Sequence, residues 1–239
     1  RVATVHHEYS QTHGPWWKRR LYTAVLRLDR ALGCRFIAVS KPIVEELRAI
    51  GIADDLITYS PNGVPAVADA GEASWQIRHE LGWRDAIVVG VIGRLVPEKG
   101  HVVLLRAMAK VRRTHPNLRL MIVGEGRSAD ELLGHVAQLG LGDVARFMGF
   151  RSDVGAIMQA CDIVCLPSLA GGLPYVAIEA AMLCRPLIMS AVGDIPTMFT
   201  HGVTARIVPA GDVDALALEI AWCADHRAAA QQMGAAART

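Results

Sequence analysis

An α/β protein built on parallel, doubly wound sheets is what the 239-residue sequence predicts. Three observations carry this. From residue 86 onward, short β-rich runs alternate with helical stretches, and the strand comes first in each pair. The helical stretches repeat their apolar residues at the spacing of one helix face. Two of the strands run directly into Gly-rich turns that open helices, as ligand-binding edges of such sheets do.

Ala86 to Ile92 reads as the first of these strands, and Val103, Leu104, Ala107, Met108 and Val111 then mark one face of a helix. Leu118 to Val123 is the next strand. Ser128 and Glu131 after it have capping-box spacing ahead of Leu132, Leu133, Val136 and Leu139. Further strands are expected at Val144–Met148, Asp162–Leu166, Pro186–Ser190 and Val203–Val208, with helices near 153–160 and 174–184. Upstream, Phe36–Ser40 followed by Pro42–Ile50 is another strand and helix, and Leu56–Tyr59 a further strand. Ser60 to Pro65 is dense in turn formers and the next twenty residues show weak periodicity. This places a domain boundary near residue 65, giving domains 1–64 and 65–239. The chain starts at Arg1, and Val2–Val5 already reads as a buried strand, so the first domain is expected to be entered part-way.

Hydrophobic residues at 52% and charged residues at 20% are a globular composition. No run approaches the ~18 apolar residues of a membrane span, and no signal-peptide pattern is present, so the sequence predicts a cytoplasmic protein. A net charge of +2 gives no reason to expect nucleic acid as a partner. The five cysteines include no CxxC pair and read as buried thiols in a reducing compartment. Trp16, Trp17 and Lys18-Arg19-Arg20, followed by Leu21, Ala24, Val25 and Leu28, form an amphipathic stretch. Core packing of its apolar face is the first expectation; peripheral contact at the inner face of a membrane is the second.

The chemistry concentrates on two turns. Gly93-Arg94-Leu95-Val96-Pro97-Glu98-Lys99-Gly100 joins a strand to a helix N-terminus, where amide groups and two mobile cations suit a diphosphate. Ala170-Gly171-Gly172-Leu173-Pro174 makes a second such junction. Glu179, beyond it on an otherwise apolar helix, needs a partner. Ribose hydroxyls would serve, and so would a structural arginine such as Arg185 or Arg94. Asp212-Val213-Asp214 spells a metal-binding pattern, but Asp212 reads better as a helix cap. His6, His7, Glu8 and His13 lack metal-site spacing, so no metal is expected.

Taken together, Phe36–Ser40, Pro61-Asn-Gly-Val64, Gly93-Arg-Leu, Glu98-Lys-Gly100, Val123-Gly-Glu-Gly126, Phe147-Met-Gly-Phe150, Pro167-Ser168 and Glu179-Ala-Ala-Met182 resemble the large family of retaining GT-B glycosyltransferases with a Glu-x7-Glu motif. The resemblance implies two Rossmann-like domains, the carboxyl-terminal one nearly complete and binding a UDP- or GDP-sugar, the amino-terminal one partial and holding a hydroxyl acceptor, a sugar or glycolipid. It implies a role in glycolipid, lipopolysaccharide or capsule synthesis and no cofactor beyond the donor. Arg94 and Lys99 match the family's diphosphate pair, and Glu179 its ribose-binding glutamate. The surroundings of Phe150 and Arg151 match its base site. Gly93, Gly171, Gly172, Leu173 and Pro174 match its donor-binding turns, and His6 its histidine beside the donor sugar. By the residues alone His6 is equally a loop histidine. One position departs: Gly171 stands where the family has its first glutamate. Two readings therefore stay open, a retaining transferase and a catalytically degenerate nucleotide-sugar-binding domain. A nicotinamide-dependent oxidoreductase is disfavoured, because Gly-x-Gly-x-x-Gly is absent from the first turn.

Overall fold

The computed structural model describes residues 1–5, 16–60, 63–64, 70–171 and 174–238. They form two parallel sheets. The first holds β1 (Val2–Val5), β2 (Arg35–Ala38) and β3 (Ile57–Tyr59) in that order, with α1 (Trp16–Ala31) between β1 and β2 and α2 (Lys41–Ala49) between β2 and β3. Phe36, Ala38, Ile43, Leu47 and Ile52 are the centre of its core. α2 starts where the sequence supplies a start: the Ser40 hydroxyl accepts from the Ile43 amide at 3.3 Å, and Pro42 sits in the first turn, where a missing amide does no harm.

Two expectations for this half are corrected. β1 is a strand but not a buried one. Among the described residues it lies at the sheet edge with Val2 63% exposed, while Val5 is in the core and Ala3 packs against it. The apolar stripe of α1 does not pack inward either: Trp16, Trp17, Leu21, Val25 and Leu28 are all exposed, and Leu26 is the buried contact. Among the described residues the stripe faces away from this core.

The second sheet contains β4 (Ile87–Ile92), β5 (Leu118–Val123), β6 (Ala145–Phe147), β7 (Ile163–Leu166), β8 (Leu187–Ser190) and β9 (Arg206–Val208), all parallel, in the order β6-β5-β4-β7-β8-β9. β4 is central and buried along its whole length. On one face, α4 (His101–Val111), α5 (Ala129–Gln138) and α9 (Val213–Asp225) bring Leu104, Leu132 and Leu216 onto Val89 and Val91. On the other, α3 (Gly71–Glu80), α6 (Val154–Gln159) and α7 (Tyr175–Met182) bring Ile77, Ile157 and Ala177 onto Val88 and Ile92. α8 (Ile195–Met198) and α10 (Arg227–Ala236) complete the helices described. The chain leaves β4 towards β5 and β6, then returns to β7 on the other side. The helices that follow these adjacent strands, α4 and α7, pack on opposite faces, and such a switch point is where doubly wound sheets bind ligands.

The expected strands of this sheet all form. The last is shorter than expected because residues 200–205 close a turn, with the Gly202 amide on the Ala205 carbonyl. The Ser128/Glu131 capping box does not form. The Ser128 side chain makes no cap bond, and its amide instead meets the Leu95 carbonyl at 3.0 Å, tying this turn to the loop after β4. All five cysteines are unbridged, and burial pushes the Cys161 and Cys223 thiols up to about 12.

Candidate functional site

The loop after β4 is held from both sides. The Gly93 amide donates to the Val123 carbonyl and the Leu95 amide to the Glu125 carbonyl, each at 2.9 Å, so the loop runs along the one after β5. Pro97–Lys99 then make a single 3-10 turn that ends on Gly100 in the left-handed region, φ 68°. The Leu169 amide donates to the Glu98 carbonyl at 2.8 Å, and a Cβ on Gly100 would stand 1.9 Å from the Pro167 carbonyl oxygen. Only glycine permits that approach. The loops after β4, β5 and β7 are thus one packed unit across the crevice.

Arg94 and Lys99 meet on this unit. Lys99 is half-buried, and its ammonium is pushed below the usual lysine range first by burial and then by Arg94, with Glu98 acting against both. Glu98 itself lies 3.6 Å from Arg127. Among the described residues, neither Arg94 nor Lys99 forms an ion pair. A half-buried ammonium disfavoured by burial and by a neighbouring guanidinium is a place where an anion would be favoured.

Glu179 is the fifth residue of α7 and half-buried. No described residue donates to its carboxylate, and burial alone raises its pKa. The arginine alternative is not seen among the described residues: neither Arg185 nor Arg94 forms an ion pair with Glu179, and Arg185 bonds the Leu183 carbonyl at 3.1 Å. A carboxylate in that state can still accept hydroxyl donors.

At the end of β6, Phe150 is 72% exposed, the Arg151 guanidinium forks onto Asp153 at 2.8 and 2.6 Å, and the Gly149 carbonyl accepts from the Gly124 amide at 2.8 Å. Gly171 has φ 131°, a value that L side chains rarely adopt, and open space where a Cβ would point. Pro174 immediately precedes α7. Gly172, Leu173 and His6 lie outside the described residues, as do His7, Glu8 and His13. Asp212 caps α9, accepting from the Asp214 and Ala215 amides at 3.0 and 2.9 Å, as its sequence context implies. Among the described residues, no group of three or more His, Cys, Asp and Glu could hold a metal ion, and no helix is long and apolar enough to cross a membrane.

Two groups at this edge escaped the sequence. His101, the first residue of α4, is 3% exposed, and neither ring nitrogen has a hydrogen-bond partner among the described residues. Burial and then Lys99 push it down to about 4, so it is neutral at pH 7. It lines a cavity of about 160 Å³ with Gly100, Ser128 and Leu169. Its only sequence signal is its place directly after Glu98-Lys-Gly100. Asp194, after β8, is fully buried, and nothing in the local pattern Gly193-Asp-Ile-Pro196 distinguishes it from an ordinary helix cap.

Comparison with known proteins follows the same lines. Residues 73–239 match the model of the glycosyl transferases group 1. A D-inositol 3-phosphate glycosyltransferase of Kribbella flavida is 34% identical over 172 residues, which are 67% of this chain and 41% of that protein. A glycogen synthase of Mycobacterium tuberculosis is 29% identical over 99% of this chain and 57% of its own length. The chain spans about half the length of the curated relatives it matches. The structure of Anabaena HepE in complex with UDP superposes with a TM-score of 0.87 at 25% identity, over 99% of this chain and 66% of that one. Sucrose-phosphate synthase of Thermosynechococcus elongatus superposes at 0.82, over 99% and 61%. The fold is GT-B, and the chain belongs to the glycosyl transferases of group 1.

Proposed function

We propose that this chain carries the donor site of a retaining glycosyltransferase that moves a sugar from a nucleoside diphosphate sugar to a hydroxyl acceptor, in glycolipid, lipopolysaccharide or capsule synthesis. The observation that carries the reading is the pair of cations, Arg94 and Lys99, without an ion-pair partner among the described residues, on the welded loops at the sheet's switch point. The reading is also supported by UDP in the HepE structure. In this reading the diphosphate lies against Arg94, Lys99 and the Gly171–Pro174 turn. Glu179 accepts from the ribose hydroxyls, and the base rests at Phe150 and the Arg151 backbone. His6 closes over the sugar. Departure of the diphosphate leaves a cationic sugar and a growing negative charge, which fixed cations stabilise most where water is excluded. Arg94 and Lys99 then supply the positive charge that the leaving group needs, and no metal takes part.

Gly171 favours a second reading, a degenerate domain that binds the nucleotide sugar without transferring it. The two differ in how much the sugar adds to binding and in whether donor is consumed. Titration calorimetry tests the site they share. With Arg94 and Lys99 both replaced by Ala, affinity for UDP or GDP should fall at least tenfold while uridine or guanosine affinity holds, since charge-assisted phosphate bonds are worth roughly 1.5–3 kcal/mol each. Glu179→Gln should weaken a ribonucleotide more than its 2′,3′-dideoxy analogue. Equal diphosphate affinity in parent and double variant would sink the assignment.

The outward stripe of α1 supports peripheral contact with a lipid surface, because Trp16 and Trp17 stand exposed at one end beside Lys18 and Arg20. Such contact would bring the acceptor side to a glycolipid.

A further inference from the structure

The two sheets are joined by a hydrogen bond that the donor site does not use. Asp194 follows β8, at the carboxyl edge of the second sheet. Its Oδ1 accepts from the backbone amide of Lys41, the first residue of α2 in the first half, at 3.1 Å. Ser40 satisfies the Ile43 amide of the same helix end. The amino end of α2 is therefore capped twice, once by its own chain and once by a carboxylate from the other sheet, where the helix dipole favours negative charge. Tyr59, the last residue of β3, also feels the Asp194 charge. Asp194 does not cap the short helix that it precedes in sequence, because its side chain is turned to this task.

The bond is a breakable one. Asp194 is fully buried, and its Oδ2 has no hydrogen-bond partner among the described residues. The gain from a charge-assisted bond to a helix end and the penalty for a buried unpaired carboxylate oxygen are of the same order. Such a link sets the register of the two halves without welding them.

We propose that Asp194 is a positioning residue: by capping α2 from the other sheet it holds the first half in register at the carboxyl edge of the second sheet. That this edge is where the donor sits rests on the function proposed above; the clasp itself does not. Small-angle X-ray scattering on the nucleotide-free protein tests it. Asp194→Ala should raise the radius of gyration by roughly 1 Å, against about 18 Å for a compact chain of this length. Asp194→Asn keeps an acceptor for the Lys41 amide and should restore most of the compact curve, which a merely structural loss would not do. Affinity for UDP, measured on the same samples, should stay within about twofold, because the donor loops are untouched. A folded Asp194→Ala protein whose scattering superposes on the parent overturns the clasp. If that variant fails to fold, an Asp194→Asn protein as open as an unclasped one, with its thermal transition intact, overturns it equally. A parent that binds no UDP but opens on Asp194→Ala leaves the clasp standing and removes the donor reading alone.

Discussion

Replacing His101 with leucine should remove a specific part of the protein's acid sensitivity. In the folded chain the imidazole titrates near 4, pushed down by burial and by Lys99, whereas in the unfolded chain it titrates near 6.5. Between those values the unfolded state holds more protons, so stability falls as pH falls through the window and is fully present only above it. The gap from 6.5 to about 4, at about 1.4 kcal/mol per pH unit, comes to about 3 kcal/mol lost between pH 7 and pH 4. The ring is 3% exposed, so solvent screening takes little from that figure. Leucine cannot titrate, and it also removes two buried nitrogens that have no partner among the described residues. Urea unfolding of parent and variant at steps from pH 7 to pH 4.5, compared at a shared slope, reads the effect. The variant should match or exceed the parent at pH 7, and its advantage should grow towards acid by roughly 2 kcal/mol or more. A difference that stays constant with pH would refute the reasoning.

Substituting both Trp16 and Trp17 with Ser should reduce flotation of the protein with vesicles of anionic lipid severalfold while leaving UDP affinity unchanged, because the stripe lies on the far side of α1 from its core contact Leu26. Equal flotation would show that the stripe does not meet lipid. Gly171→Glu restores the family's side chain at a backbone angle that opposes it. With φ at 131°, the substitution should lower stability by roughly 1–3 kcal/mol, read by chemical denaturation, or else force the turn to rearrange. A glutamate variant as stable as the parent would mean that the loop adopts another conformation at no cost.

The second sheet was legible because each of its strands is a short apolar run with a turn former at one or both ends, and because β4 is apolar on both faces, as only a central parallel strand is. α2 was legible through Ser40 and Pro42, whose roles are local. What misled was period without direction. On α1, periodicity marks a stripe without saying which side the sheet lies on; Leu26, not the Leu21–Val25–Leu28 stripe, meets the core among the described residues. β1 misled for a related reason, since four apolar or small residues fit an edge strand as well as a buried one. The Ser128 box had the right spacing but lost to a tertiary bond, because the Ser128 amide was needed by Leu95 in another loop.

The same distinction separates the legible part of the site from the rest. Arg94, Lys99 and Glu179 stand out in the sequence because the features that mark them are adjacent to one another: a strand, a turn and a helix start. His101 and Asp194 were not, because the property that matters in each is a missing or borrowed partner, and partners across 153 residues leave no trace in local pattern. Gly171 lies between these cases. Its identity is plain in the sequence, yet whether it is a lost glutamate or a required glycine depends on one backbone angle, and that angle lies in the glycine region. A turn that needs positive φ is a different structure from one that presents a carboxylate. The diphosphate end of the proposed site, made of Arg94, Lys99 and the welded loops, does not depend on which of the two it is. The sugar end does, so on the function proposed above the stabilisation of the leaving group by Arg94 and Lys99 is the part that Gly171 leaves intact.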